Sequence, residues 1–416
     1  MMATAASHAN EFQEIVEALV DRAVVDNGLC SGRLLALRGA NRSVLVGTEA
    51  LVKVNTSIGC SDPRKVAVEV EKADRLIGAG YRPDLMMDLS IVRPTRPVYE
   101  YLIERFGGPV GTLPHYLCYK PRKGIDSTQL LEEIDRQASL GVAWMTLHLA
   151  VDRDLYQMAQ RTRWTPVTAR GGGIVVEDMY VHDRSESVLS ELYPEILTIL
   201  RRHGTAVSLG TTFRPSNVID ALDEVHVREI ELQRRYIDEA RRQGVGVMLE
   251  AVGHMGLRDA APFTDLVRRR LSYELPVMTL GPIPTDAAVG EDHIANAIGG
   301  AYLAMLGGTN ILNSVTREEH TGRVPAAGSI LEGLRAARIA AHSVNMARFS
   351  LEGTADRDTA EKRAASYTCV VEGGLFTESA KTRFSMGCSR CGNECPLIIN
   401  FELSEHGQVH LRAERS

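Results

Sequence analysis

The chain has no uninterrupted apolar run of the roughly 18 residues that a membrane span requires, so no bilayer-crossing helix is expected. It has no surplus of basic residues: 47 Lys and Arg against 53 Asp and Glu leave a formal charge of -6, which argues against a general affinity for nucleic acid. Its opening stretch, MMATAASHANEFQEIVEAL, lacks a basic segment followed by an apolar one. No export signal is therefore expected there, and it reads as a short lead into an amphipathic helix. Cysteine is scarce and odd in number, seven in 416 residues, which does not suit a disulfide framework and fits a reducing cytoplasm. No low-complexity linker divides the chain. What is left is an ordinary globular composition, 44% hydrophobic and 24% charged, in a length that suggests one large domain with an appendage.

Eight short apolar runs recur: LVKVN (51–55), DLMMDLS (84–90), PVGTLPHY (109–116), VAWMTLHL (142–149), TAVSLGTTF (205–213), GVMLEAVGH (246–254), PVMTLGP (276–282) and TNILNSV (309–315). Continuous runs of this length suit parallel strands buried on both faces. Helical patterns lie between most of them, over 63–80, 187–204 and 216–244, each stopped by glycine. Eight strands alternating with helices predict a (β/α)8 TIM-type barrel over 51–325, with an open doubly wound sheet as the alternative. Residues 1–50 are expected as a helical lead-in. Two further helical patterns, 328–350 and 354–374, place a C-terminal helical arm carrying a cysteine loop at 326–416.

Barrel enzymes place their chemistry at the carboxyl ends of the strands. Polar residues stand at those ends: Asn55, Asp88, Tyr116, His148, Arg214, Glu250, His254 and, after the eighth run, Glu319 and His320. Each has a plainer reading; His148 could be a core histidine and Asp88 a cap. TARGGGIVV (168–176) sets three glycines beside Arg170, an arrangement that converges backbone N–H groups on an anion or is an ordinary loop. FRPSN (213–217) reads as the opening of the long helix, with Ser216 as its N-cap and Arg214 at a second anion site.

Cys388, Cys391 and Cys395 crowd into GCSRCGNECPL (387–397), away from Cys30, Cys60, Cys118 and Cys369. Three close thiols suit half of a zinc site, a redox pair with a neighbour, or an iron–sulfur cluster. A zinc-dependent barrel lyase or hydrolase, with His254 and His320 as ligands and a structural zinc at the cysteines, is one reading of the whole; a non-catalytic binding protein is another.

The chain also resembles a known family, the ThiC proteins, which comprise 4-amino-5-hydroxymethyl-2-methylpyrimidine phosphate synthases and 5-hydroxybenzimidazole synthases. The matching stretches, in the family's order, are VNTSIG (54–59), MDLS (87–90), PVGTLPHY (109–116), ARGGG (169–173), SLGTTFRPSN (208–217), EAVGH (250–254), TLGPIPTDAAVGEDHIANAIGGA (279–301), VTREEHTGRVP (315–325), IAAHSVNMAR (339–348) and CSRCGNEC (388–395). The resemblance implies a radical S-adenosylmethionine enzyme acting on aminoimidazole ribonucleotide. Cys388, Cys391 and Cys395 would hold a [4Fe–4S] cluster, and His254 and His320 a divalent metal, zinc or iron. Asn55, Met87, Tyr116, His148, Arg170, Gly171, Arg214 and Glu250 would line the substrate pocket, with Glu250 and the three cysteines in catalytic roles. It also implies an electron donor such as flavodoxin or ferredoxin, and a homodimer in which the cluster arm of one chain reaches the barrel of its partner.

The chain departs from the family pattern at specific places. The thiols are spaced two then three residues apart, where the family usually has two then four. Ala169 replaces a serine, Thr211 an aspartate and Glu291 a tyrosine, and IVRPTRP (91–97) stands where glycines are usual. Loss of a carboxylate at Thr211 removes a proton acceptor, so a product other than the thiamin pyrimidine is expected.

Overall fold

The computed structural model describes residues 22–92, 94–271, 274–349, 355–365, 369, 390–391 and 394–403. Each of the eight apolar runs forms a strand: β1 (Lys53–Ile58), β2 (Leu85–Asp88), β3 (Val110–Thr112), β4 (Trp144–Leu147), β5 (Ala206–Leu209), β6 (Val247–Ala251), β7 (Val277–Thr279) and β8 (Ile311–Asn313). They pair in parallel and in chain order, and β8 closes on β1 through Ile311–Lys53, Leu312–Val54 and Asn313–Asn55. The barrel excludes the open-sheet alternative. β2, β4, β5 and β6 are buried along their whole length, which is why their sequences show no polar alternation. Inside, the Trp144 indole lies over Gly111 of the neighbouring strand, where an added Cβ would stand 2.0 Å from the ring.

The helices pack outside, and their starts follow local chemistry. Asp126, Asp152 and Asp223 cap the helices Ser127–Ser139, Arg153–Thr162 and Glu224–Arg242 by accepting backbone N–H groups of the first turn. The long interval between β4 and β5 holds the extra helix Arg170–Val181, which reaches the barrel mouth.

Three expectations need correction. The lead-in carries not only a helix, Arg22–Ser31, but an antiparallel hairpin of Leu34–Arg38 with Ser43–Gly47, which buries Val25, Leu34, Leu45 and Ala50 together. The long helix starts at Glu224, not 216, and Ser216 is no cap. Asn217 Oδ1 instead accepts the N–H groups of Ile219 and Asp220, holding 217–220 in a turn. The helix Ala327–Phe349, assigned to the arm, belongs to the barrel: Asn345 exchanges two hydrogen bonds with the Val52 backbone, 2.7 and 3.1 Å, and Arg338 pairs with Asp84 at 2.7 Å. The first compact unit accordingly runs to Phe349 and a second comprises 350–416, where helices Ala355–Ala365 and Pro396–Leu403 are described. Among the described residues, no helix is long and apolar enough to cross a membrane.

Candidate active site

At the carboxyl ends of the strands lies a cavity of about 400 Å3. Met87, Tyr116, His148, Arg170, Gly171, Arg214, Glu250, His254 and His320 all line it. The glycine triplet is not a loop. It is the first turn of the helix Arg170–Val181, whose N-cap Ala169 offers no side-chain bond to the first N–H groups. The glycines allow close approach: an added Cβ at Gly171 would meet His148 Nε2 at 2.4 Å, and one at Gly172 would meet Thr212 Cγ2 at 2.5 Å. Arg170 and Arg214 flank this helix end, so one wall presents two guanidinium groups and a positive helix terminus.

The other polar groups are held in defined states. His148 is buried, with Nδ1 3.0 Å from Thr212 Oγ1, and burial keeps its pKa well below the ordinary range, so the ring is neutral. Burial pushes the Tyr116 phenol up to about 12 against the pull of Arg170 and Arg214, so it remains a donor. Burial also raises the Glu250 carboxyl, opposed by Arg214, whose Nη1 stands 3.5 Å from Glu250 Oε1. Thr211 points its hydroxyl at the Glu250 carbonyl and does not line the cavity. Asp88 serves the plainer role. Its carboxylate accepts the N–H groups of Ser90 and Tyr99, at 2.9 and 2.8 Å, and so anchors the start of the next helix.

Next to Arg214, where the His254 backbone N–H donates to the Pro215 carbonyl at 3.0 Å, two histidines 66 residues apart in sequence bring their Nε2 atoms to 3.1 Å. His254 Nδ1 is 2.6 Å from Asp286 Oδ1, and His320 Nδ1 is 2.7 Å from Asp292 Oδ1. Carboxylates at both Nδ1 atoms assign the protons there and leave two Nε2 lone pairs facing one another. A cation relieves that opposition. With zinc–nitrogen bonds of about 2.0–2.1 Å, the spacing corresponds to a ligand–metal–ligand angle of about 100°, close to tetrahedral. The pair therefore fits a divalent metal. Among the described residues no third His, Cys, Asp or Glu joins it.

Asn55 does not line the cavity. It is buried behind Asn313, to whose Oδ1 its amide donates, and Asn313 faces the cavity together with Ser57 and Ser314. Asn313, Asp286 and Asp292 escaped the sequence reading; the strand-end rule singles out Asn313, the last residue of β8, but nothing local marks the two aspartates as histidine partners. Of the thiols, Cys388 lies outside the described residues, Cys391 is exposed and Cys395 is buried next to the helix Pro396–Leu403.

The model of the Radical SAM ThiC family matches residues 1–402. The chain belongs to this family. A phosphomethylpyrimidine synthase of Ignicoccus hospitalis is 34% identical over 414 residues, covering 94% of this chain and 93% of its own. A second, from Methanopyrus kandleri, is 37% identical over 319 residues, 74% of this chain and 72% of its own. A third, from Thermus thermophilus, is 31% identical over 93% of each chain. This ThiC-family protein is thus an enzyme of that type on a closed barrel, and its departures can be placed. Ala169 is the N-cap at the cavity wall, Thr211 is turned away from the cavity, and Glu291 is exposed, 4.0 Å from Arg317.

Proposed function

We propose that this protein is a radical S-adenosylmethionine enzyme that rearranges aminoimidazole ribonucleotide to hydroxymethylpyrimidine phosphate. The observation that carries the reading is one cavity lined by Arg170, Arg214 and the Gly171 helix end together with the His254–His320 pair, whose His254 backbone N–H donates to the Pro215 carbonyl next to Arg214. The arginines and the helix end suit a phosphate, and the histidine pair a divalent metal, zinc or iron. The rest of the cavity, lined by Tyr116, His148, Glu250 and Asn313, suits the ribose and the base. Tyr116 donates, neutral His148 donates from Nε2 or accepts there, and Glu250 takes a proton from an amine or holds it beside Arg214. Cys388, Cys391 and Cys395 would hold the [4Fe–4S] cluster, which when bound supplies the electron that cleaves S-adenosylmethionine. A flavodoxin or ferredoxin would deliver that electron.

The departures do not favour a different product. Of the three substitutions only Ala169 reaches the cavity, and curated relatives of similar length are phosphomethylpyrimidine synthases. A homodimer has a surface to act on: Ile294, Ile298, Tyr302 and Met305 form an apolar stripe on helix Asp292–Met305, each 44–52% exposed.

Anaerobic incubation with reconstituted cluster, S-adenosylmethionine, a strong reductant and aminoimidazole ribonucleotide tests the proposal. The expected products are methionine, 5'-deoxyadenosine and hydroxymethylpyrimidine phosphate. Formation of 5-hydroxybenzimidazole would replace the product assignment. Turnover of neither cosubstrate with the cluster intact would defeat the substrate assignment.

A further inference from the structure

The segment after β5 carries three contacts to the site. Thr211 bonds the Glu250 backbone, Thr212 holds His148 Nδ1 at 3.0 Å, and Arg214 stands 3.5 Å from Glu250. It has no regular secondary structure of its own from residue 210 to 223, so something else must fix it. Glu229, in the second turn of the helix Glu224–Arg242, is fully buried beneath it. Its two carboxylate oxygens accept the N–H groups of Thr212 and Phe213, at 2.6 and 2.9 Å. Arg163, equally hidden, donates Nη1 to the Phe213 carbonyl at 2.6 Å and grips Asp223 through Nε and Nη2 at 2.7 and 2.6 Å. Asp223 in turn caps the helix that carries Glu229.

We propose that Glu229, braced by Arg163 and Asp223, is a positioning residue: it sets the backbone of Thr212 and Phe213, and through it the orientation of the His148 ring and the reach of Arg214. The functional consequence rests on the ribonucleotide reading above. A buried carboxyl group is costly to keep, and here its two oxygens are committed to two successive backbone donors rather than to a packing role. Burial pushes its pKa up to about 8 while those donors and the nearby arginines pull it down. Helix-to-strand packing alone would need no carboxyl group at this position. Thr212 converts the fixed backbone into a fixed ring, because its hydroxyl meets Nδ1 while Gly171 crowds Nε2.

Glu229→Gln is the test, since it keeps the shape and turns one acceptor into an NH2 facing an N–H. Two readouts are taken on the full chain. NMR of isotope-labelled histidine, with His148 assigned by substitution, should show one sharp set of neutral-ring signals in the wild type and shifted or exchange-broadened ring signals in the variant. Calorimetry should show affinity for aminoimidazole ribonucleotide lowered about tenfold. Zinc affinity at His254 and His320 should stay within about twofold, which a general loss of fold would not allow. Should Glu229→Gln fail to fold, Arg163→Lys, which loosens the Phe213 carbonyl, carries the same expectations. A wild-type His148 spectrum with wild-type nucleotide affinity overturns the clamp. If the wild-type protein itself binds no aminoimidazole ribonucleotide, the substrate reading fails by itself, and the His148 spectrum still decides for or against Glu229.

Discussion

At Gly171 an added Cβ would stand 2.4 Å from His148 Nε2 and 3.0 Å from His115 Nε2, and both rings are buried with little room to retreat. Gly171→Ala should therefore push the helix end or the His148 ring out of place. The expected result is a loss of aminoimidazole ribonucleotide affinity of at least about tenfold, read by calorimetry, with zinc binding retained. The histidine pair answers to a different substitution. Asp292 accepts from His320 Nδ1, fixing the proton there and the lone pair at Nε2. Asp292→Ala should lower zinc affinity about 10–100-fold in a chelator competition, as removal of such outer carboxylates does elsewhere. Binding should also weaken as the pH falls and protons compete for the imidazoles. Burial lowers the His254 pKa, so this ligand takes up its proton at a lower pH than an ordinary histidine. The two histidines could be named from sequence because the resemblance marks them; their carboxylates could not, because Asp286 and Asp292 lie 32 and 28 residues from their partners.

Elements divide into those that sequence patterns reveal and those that tertiary bonds impose. The strands were legible because a strand covered on both faces must be apolar throughout. The start of the helix Glu224–Arg242 was not, because amphipathic spacing continues back through 216 while Asn217 takes the backbone into a turn and Asp286 Oδ2 accepts the Val218 N–H at 2.9 Å. The helix Asp292–Met305 has a second face to account for. Its buried side packs on the barrel, yet Ile294, Ile298, Tyr302 and Met305 remain exposed on the other. If that stripe meets a second copy, Ile298→Glu should shift the protein from dimer to monomer in sedimentation velocity. Zinc binding at His254 and His320 should be unchanged. A dimer that persists unaltered would place the interface elsewhere.

At the scale of the molecule, the cysteines separate into two groups. Cys60 donates its thiol to the Asp62 carbonyl at 2.7 Å, Cys118 is buried after β3, and Cys30 lies exposed on the first described helix; none lines the cavity. Replacing any of these three by Ser or Ala should leave reconstituted iron content unchanged. Replacing Cys388, Cys391 or Cys395 by Ala should abolish it, because a three-thiolate site has no spare ligand. Full iron in any of those three variants would end the cluster assignment. By itself the sequence determined the eight-strand barrel, the family, and most of the named residues that gather at the barrel mouth, Asn55 excepted, since apolar runs and long matching motifs are local properties of the chain. Only the tertiary structure decided that the glycine triplet is a helix end pressed on His148, that Thr211 faces away from the cavity, and that Asn313 stands in front of Asn55. It also decided which carboxylates orient the histidines. Those outcomes depend on distances between side chains that no spacing along the chain specifies, because closure of the barrel brings together residues from strands far apart in sequence.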